Sequence, residues 1–107
     1  IHAEAYSTAE VMHGPLELVE NGFPILAFAQ HDAAREGTLL AVKRMRNAGA
    51  NVLVAGEAAL PTVSASHPLL EPIVMVQTAY LAVERVAAAL GRNPDQPRLL
   101  KKVTETM

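Results

Sequence analysis

The sequence predicts an α/β fold built on a parallel sheet, and three observations carry that prediction. Two apolar runs, "FPILAFA" from Phe23 to Ala29 and "NVLVAG" from Asn51 to Gly56, have strand length without apolar–polar alternation. That is the pattern of strands buried on both faces of a parallel sheet. A segment with helical periodicity separates them, and a longer one follows. The resulting β-α-β-β-α order with short connections implies a layered α/β sheet. Three strands make a thin sheet for this class, so further strands are expected upstream.

The elements follow in order. Ser7 and Glu10 have capping-box spacing, in which each side chain satisfies a backbone N–H of the first turn, so a helix is predicted from Ser7 to Met12. Gly14 and Pro15 break or redirect it, because proline lacks the N–H and disfavours a helical residue before it. Phe23 to Ala29 is the first strand. Asp32 can cap a helix running to about Ala48, closed by Gly49, with Leu39, Val42 and Met45 on one face. The second strand begins at Asn51, and "TVSAS", Thr62 to Ser66, is a polar-laced candidate for a third, nearer an edge. Pro72 sits in the first turn of a long helix on which Ile73, Val76, Tyr80, Val83, Ala87 and Leu90 recur at three-and-four spacing. Gly91 ends it, and "RNPDQPRLLKKVTETM" is a proline-containing tail.

Composition narrows the function. The chain has 107 residues, 50% hydrophobic and 19% charged, with a net charge of -2, which describes one globular unit at most. Lys and Arg are spread out apart from Lys43, Arg44 and Arg46, leaving no basic stripe to track a nucleic acid. The absence of Cys removes disulfides, thiolate metal sites and cysteine nucleophiles from this segment. No apolar run reaches the roughly 18 residues that span a bilayer, and no charged-then-apolar leader opens the sequence, so no membrane partner is expected and the default location is cytoplasmic. The opening "IHAEAYSTAE" carries no initiator Met, and the chain is expected to begin inside a larger protein.

Few residues offer chemistry. His2, His13, His31 and His67 form no i, i+4 pair and no carboxylate arrangement resembling a metal site, so no metal is expected. No glycine-rich phosphate loop is present, and no Ser occupies a strand-to-helix elbow. His13 lies where a helix is interrupted, which can project an imidazole into a cleft, and its ordinary pKa of about 6.5 suits proton transfer. The competing reading is a histidine that holds a turn by hydrogen bonds. Lys101 and Lys102 are adjacent, two of three lysines in the chain. A lysine can form a Schiff base with a sugar carbonyl if its amine is neutral, which burial or a cationic neighbour allows. Against that stands the ordinary reading of C-terminal lysines as solvated surface charges.

"IHAEAYSTAEVMHGP", followed at the right distance by "NPDQPRLLKKVTET", resembles the second sugar isomerase (SIS) domain of the glutamine–fructose-6-phosphate aminotransferase and glucosamine-6-phosphate deaminase family. The likeness extends over essentially the whole segment; the two end motifs are together highly specific, and the middle matches in pattern. The resemblance implies a parallel-sheet αβα sandwich, of which residues 1–107 would be the C-terminal part of a SIS domain with its active-site tail, incomplete at its N-terminal side. It implies a hexose 6-phosphate substrate, no cofactor, and a homodimer or higher homo-oligomer.

It also implies roles for particular residues. The histidine of the "HGP" turn, matched by His13, acts in opening the sugar ring and reaches the active site of a neighbouring subunit. The lysine four residues after the arginine of the "PR" pair, matched by Lys102 counting from Arg98, forms the Schiff base with the open-chain ketose; Lys101 lines the same tail through its backbone. The family's phosphate-binding loop and isomerisation glutamate fall outside the sequence, and Glu4 and Glu10 do not replace that glutamate. Met12 stands where the synthase often has a lysine, and "VTETM" differs from the synthase's acidic ending, which leans toward a deaminase or isomerase. A sugar-phosphate sensor of a transcriptional regulator and a purely structural half-domain stay open as alternatives, as does the isomerase domain of the glutamine-dependent synthase.

Overall fold

The structure is a computed structural model and describes residues 3–96. His2, Arg98, Lys101 and Lys102 therefore lie outside the described residues. The chain runs through helix α1 (Thr8–Met12), a 3-10 turn (Pro15–Leu18), strand β1 (Pro24–Phe28), helix α2 (Arg35–Asn47), strand β2 (Asn51–Ala55), a second 3-10 turn (Pro68–Leu70) and helix α3 (Glu71–Ala89).

The two strands pair in parallel, with Pro24 opposite Asn51 and Phe28 opposite Ala55. The predicted mixed α/β architecture with a parallel sheet is therefore present. Parallel neighbours need a crossover of a dozen or so residues, and α2 supplies it. The crossover ends at Gly49, where φ is +100° and a Cβ would stand 3.1 Å from the Asn21 Cα. Only glycine satisfies both the left-handed turn and that approach. Gly22 N–H donates to Gly49 O at 2.8 Å and Asn51 N–H to Phe23 O at 2.8 Å, so the leads into both strands are fastened together.

The core lies between α2 and one face of the sheet. Val42, Met45, Val52 and Val54 are buried there with Ala29, Ala41 and Ala50; Val11, Met12, Leu16, Val19, Ile25, Ala27 and Leu39 pack around them. The predicted apolar face of α2 is thus the one that packs. Its start differs from the prediction: the helix begins at Arg35, and Asp32 instead receives the Ala34 N–H at 2.9 Å in a turn that leads into it.

Three other expectations are corrected. The strands are not fully buried on both faces among the described residues: Leu26, Phe28 and Leu53 are exposed on the side away from α2, where α3 meets β2 and, of the strand residues, only Ala55 is buried. Thr62 to Ser66 is not a strand but a loop, since no ladder partner lies beside it among the described residues; β-propensity is expressed only on a pleated surface with neighbours. In α3 the buried positions are Glu71, Met75 and Ala79, whereas Ile73, Val76, Tyr80, Val83 and Leu90 are exposed. The helix is apolar nearly all round, so periodicity did not select the packing face; the small Ala79 lies on the face that does pack.

Met45→Ala removes a side chain only 4% exposed, and should cost about 2–5 kcal/mol by leaving a cavity. Leu40→Ala, at a position 54% exposed, should stay within about 0.5 kcal/mol. Hydrogen exchange of the β2 amides in each variant measures the difference, and equal effects would mean that the core has been misplaced.

Candidate functional site

The short helix α1 is held by its own sequence. Ser7 Oγ accepts the Glu10 N–H at 3.3 Å, and the Glu10 carboxylate accepts the Ser7 N–H at 2.7 Å, the predicted capping box. The Ser7 hydroxyl lies 2.7 Å from the same carboxylate. These bonds hold the Glu10 carboxyl below the usual carboxylate range, the Ser7 side chain contributing most and its backbone next. Tyr6 meets the Glu4 carboxylate, and this hydrogen bond pushes the phenol above its ordinary value.

His13 caps the C-terminus of α1 through its backbone N–H, which donates to Glu10 O at 3.0 Å. Gly14 and Pro15 then turn the chain into the 3-10 segment, where Glu17 N–H returns to Gly14 O at 2.9 Å. Val11 and Met12 before the histidine, and Leu16 and Val19 after it, pack against the core. The histidine between these anchors is exposed, and its imidazole makes no hydrogen bond with the described residues. The main chain holds the turn, so the ring is left to solvent or to a partner. Beside it, Thr8, Ala9, Met12, Gly37, Leu40, Ala41 and Arg44 line an open cleft of about 250 Å³ between α1 and α2.

A second cleft, of about 240 Å³, opens at the carboxyl ends of β1 and β2. There Glu71, 8% exposed, lies 2.9 Å from His31 Nδ1 through Oε1 and accepts the His31 N–H through Oε2 at 2.5 Å. The sequence reading did not single out Glu71 or join it to His31. The partners are 40 residues apart, and the only local hint was a carboxylate beside Pro72 in the first turn of a helix, where the helix dipole favours negative charge. No group of three or more His, Cys, Asp or Glu among the described residues is placed to hold a metal ion. No helix among them is long and apolar enough to cross a membrane. Of the sequence-predicted site residues, the structure thus places His13; Lys101 and Lys102 fall beyond residue 96.

Comparison with known proteins supplies the context. A glutamine–fructose-6-phosphate aminotransferase [isomerizing] sequence from Sphingobium yanoikuyae is 32% identical over 113 residues, covering 95% of this chain and 72% of its own length. The chain belongs to the glutamine–fructose-6-phosphate aminotransferase family. A Thermus thermophilus member is 36% identical over 112 residues, again 95% of this chain but 18% of that protein. A solved structure from Silicibacter pomeroyi DSS-3, assigned as a phosphosugar isomerase, superposes with a TM-score of 0.77 at 36% identity. It covers 88% of this chain and 30% of its own. The chain thus spans a minor part of the full-length relatives it matches, and its α/β fold matches part of that solved structure. No family model matches the chain.

The capping box gives a pH prediction. Glu10 titrates below its ordinary value, so its contribution is fully present above about pH 4.3, the unfolded glutamate range, and is lost as pH falls through the lowered folded value. Ser7→Ala should raise the Glu10 midpoint toward the ordinary one in a carboxyl carbon NMR titration. An unmoved midpoint would mean that Ser7 is not the cause.

Proposed function

We propose that residues 1–107 are the C-terminal part of a SIS domain, with its tail, in an enzyme that opens the ring of a hexose 6-phosphate and interconverts its ketose and aldose forms. The observation that carries this reading is family membership across 95% of the chain, on a sequence that retains both the "HGP" turn and the "PRLLKK" tail. The exposed ring of His13 on a turn anchored at both sides supports a role outside its own core. Glucosamine 6-phosphate and fructose 6-phosphate are the proposed substrates.

In this reading His13 moves the proton that opens the ring, relaying it between the anomeric hydroxyl and the ring oxygen. It does so in the site of a neighbouring subunit of a homodimer or larger assembly. Lys102 attacks the C2 carbonyl of the open ketose through its neutral Nζ; the C–N bond forms, water leaves, and the iminium acidifies the C1 protons. A carboxylate supplied from outside this segment carries a proton between C1 and C2. Lys101 lines the tail through its backbone. In a deaminase, water replaces the amino group and ammonia leaves. The names of the relatives favour the synthase branch, whereas Met12 and the "VTETM" ending favour a deaminase or isomerase. Glutamine-dependent against ammonia-releasing activity of the full-length protein separates the two. A cytoplasmic location is part of the same proposal.

His13→Ala in the full-length protein should slow turnover of the cyclic substrate by about 10²–10⁴-fold, and much less for an open-chain analogue. Equal losses on both would assign His13 a structural role. Borohydride with fructose 6-phosphate should trap an adduct on the tail peptide that Lys102→Arg abolishes and Lys101→Arg spares, because guanidinium stays protonated. An adduct on Lys101 would shift the assignment by one residue.

A further inference from the structure

We propose that the cleft at the carboxyl ends of β1 and β2 binds a small uncharged polyol, recognised by the Glu71–His31 pair together with Thr62 and Ser64. The position is the first argument. In open α/β sheets ligands bind in the crevice beyond the carboxyl ends of the strands. His31 follows β1, Gly56 follows β2, and Glu71 and Met75 come from α3, so three separate parts of the chain converge on one cleft. The loop in place of the expected third strand brings Thr62, Val63 and Ser64 to the same cleft.

The chemistry of the lining selects the ligand. With Glu71 ionised, its Oε1 at 2.9 Å requires a proton on His31 Nδ1, which leaves Nε2 of the neutral ring as an acceptor. Nε2 makes no hydrogen bond with the described residues, and His31 is exposed. Two hydroxyls add groups that both donate and accept. The lining holds a buried carboxylate and no lysine or arginine, and its one imidazole is already engaged by that carboxylate, so a phosphate would enter against like charge. A ligand rich in hydroxyl donors satisfies Nε2 and both hydroxyls without that cost. At about 240 Å³ the cleft falls below the ~300–1,000 Å³ typical of drug-sized ligands, which limits the occupant to one small molecule.

The cleft shares no residue with α1 or the His13 turn, so this proposal and the ring-opening reading fail separately. The test uses the full-length protein, nitrogen-15 labelled at histidine, titrated with D-glucitol, which has no carbonyl to react with a lysine. D-glucitol should shift the His31 imidazole resonances along a saturating curve. The paired substitution Thr62→Val with Ser64→Ala should weaken that binding by about tenfold or more, the loss expected for two hydrogen bonds. Glu71→Gln keeps a carbonyl acceptor for the His31 N–H and should change the imidazole tautomer signals while reducing affinity. His13→Ala should leave the titration unchanged. The absence of a saturable His31 shift would overturn the proposal, as would a shift confined to His13. Equal binding of D-glucitol 6-phosphate, or a saturable response to ammonium chloride in place of the polyol, would overturn the assignment of an uncharged polyol.

Discussion

The parallel register of β1 and β2 is the constraint on which the rest of the structure depends. Parallel strands cannot be joined by a tight turn, so the chain must leave one end of the sheet and return to the other through a helix. With Phe28 opposite Ala55, the segments leaving the strands emerge side by side, and this brings His31 and Gly56 to one cleft. At the opposite end the leads into the strands are bound through Gly22, Gly49, Phe23 and Asn51. The α2 crossover covers one face with Val42 and Met45, and the same core receives Met12 and Leu16 from either side of the His13 turn. The position of that turn is therefore set by the packing of the crossover.

What could be read from the sequence follows the range of the interactions concerned. The α1 cap is a contact between residues three apart, and both of its reciprocal bonds are present. The stop at Gly14 and Pro15, the strand lengths and the closure at Gly49 are likewise local, written in residue types that leave the backbone few choices. The Thr62–Ser66 segment failed as a strand because a strand exists only through its neighbour. The Glu71–His31 bond was not legible because nothing near either residue names the other. His13 could be singled out because its interruption of a helix is local, whereas its anchoring by Leu16 and Val19 emerges only in the packed fold.

The exposed apolar positions show a further limit of pattern reading. "FPILAFA" and "NVLVAG" put apolar side chains on both faces of the sheet, and α3 puts them on nearly all sides. Such patterns record every surface that a chain can bury, not the one covered by a given set of residues. Within residues 3–96 the α2 side of the sheet is covered and the other side only at Ala55, where α3 meets β2, so Leu26, Phe28 and Leu53 leave an apolar surface there. Each apolar Å² covered there would contribute about 25 cal/mol. The same reasoning applies to α3, where a helix apolar all round leaves the choice of face to local fit, and the small side chain of Ala79 suits close packing.

Two histidines show how the fold can hold an imidazole in different ways. His31 is oriented by a buried carboxylate, which with Glu71 ionised requires a proton on Nδ1 and, in the neutral ring, leaves Nε2 as an acceptor. Such a ring suits recognition, because its hydrogen-bonding pattern is set before a ligand arrives. His13 is positioned instead by the packing of its neighbours and by its backbone N–H, with no described partner fixing the ring. A ring without a fixed tautomer can take a proton at one nitrogen and release it at the other. The ring opening proposed for His13 needs an imidazole that a substrate can reach, and the helix break at Gly14 and Pro15 leaves the ring exposed while the main chain holds the turn in place.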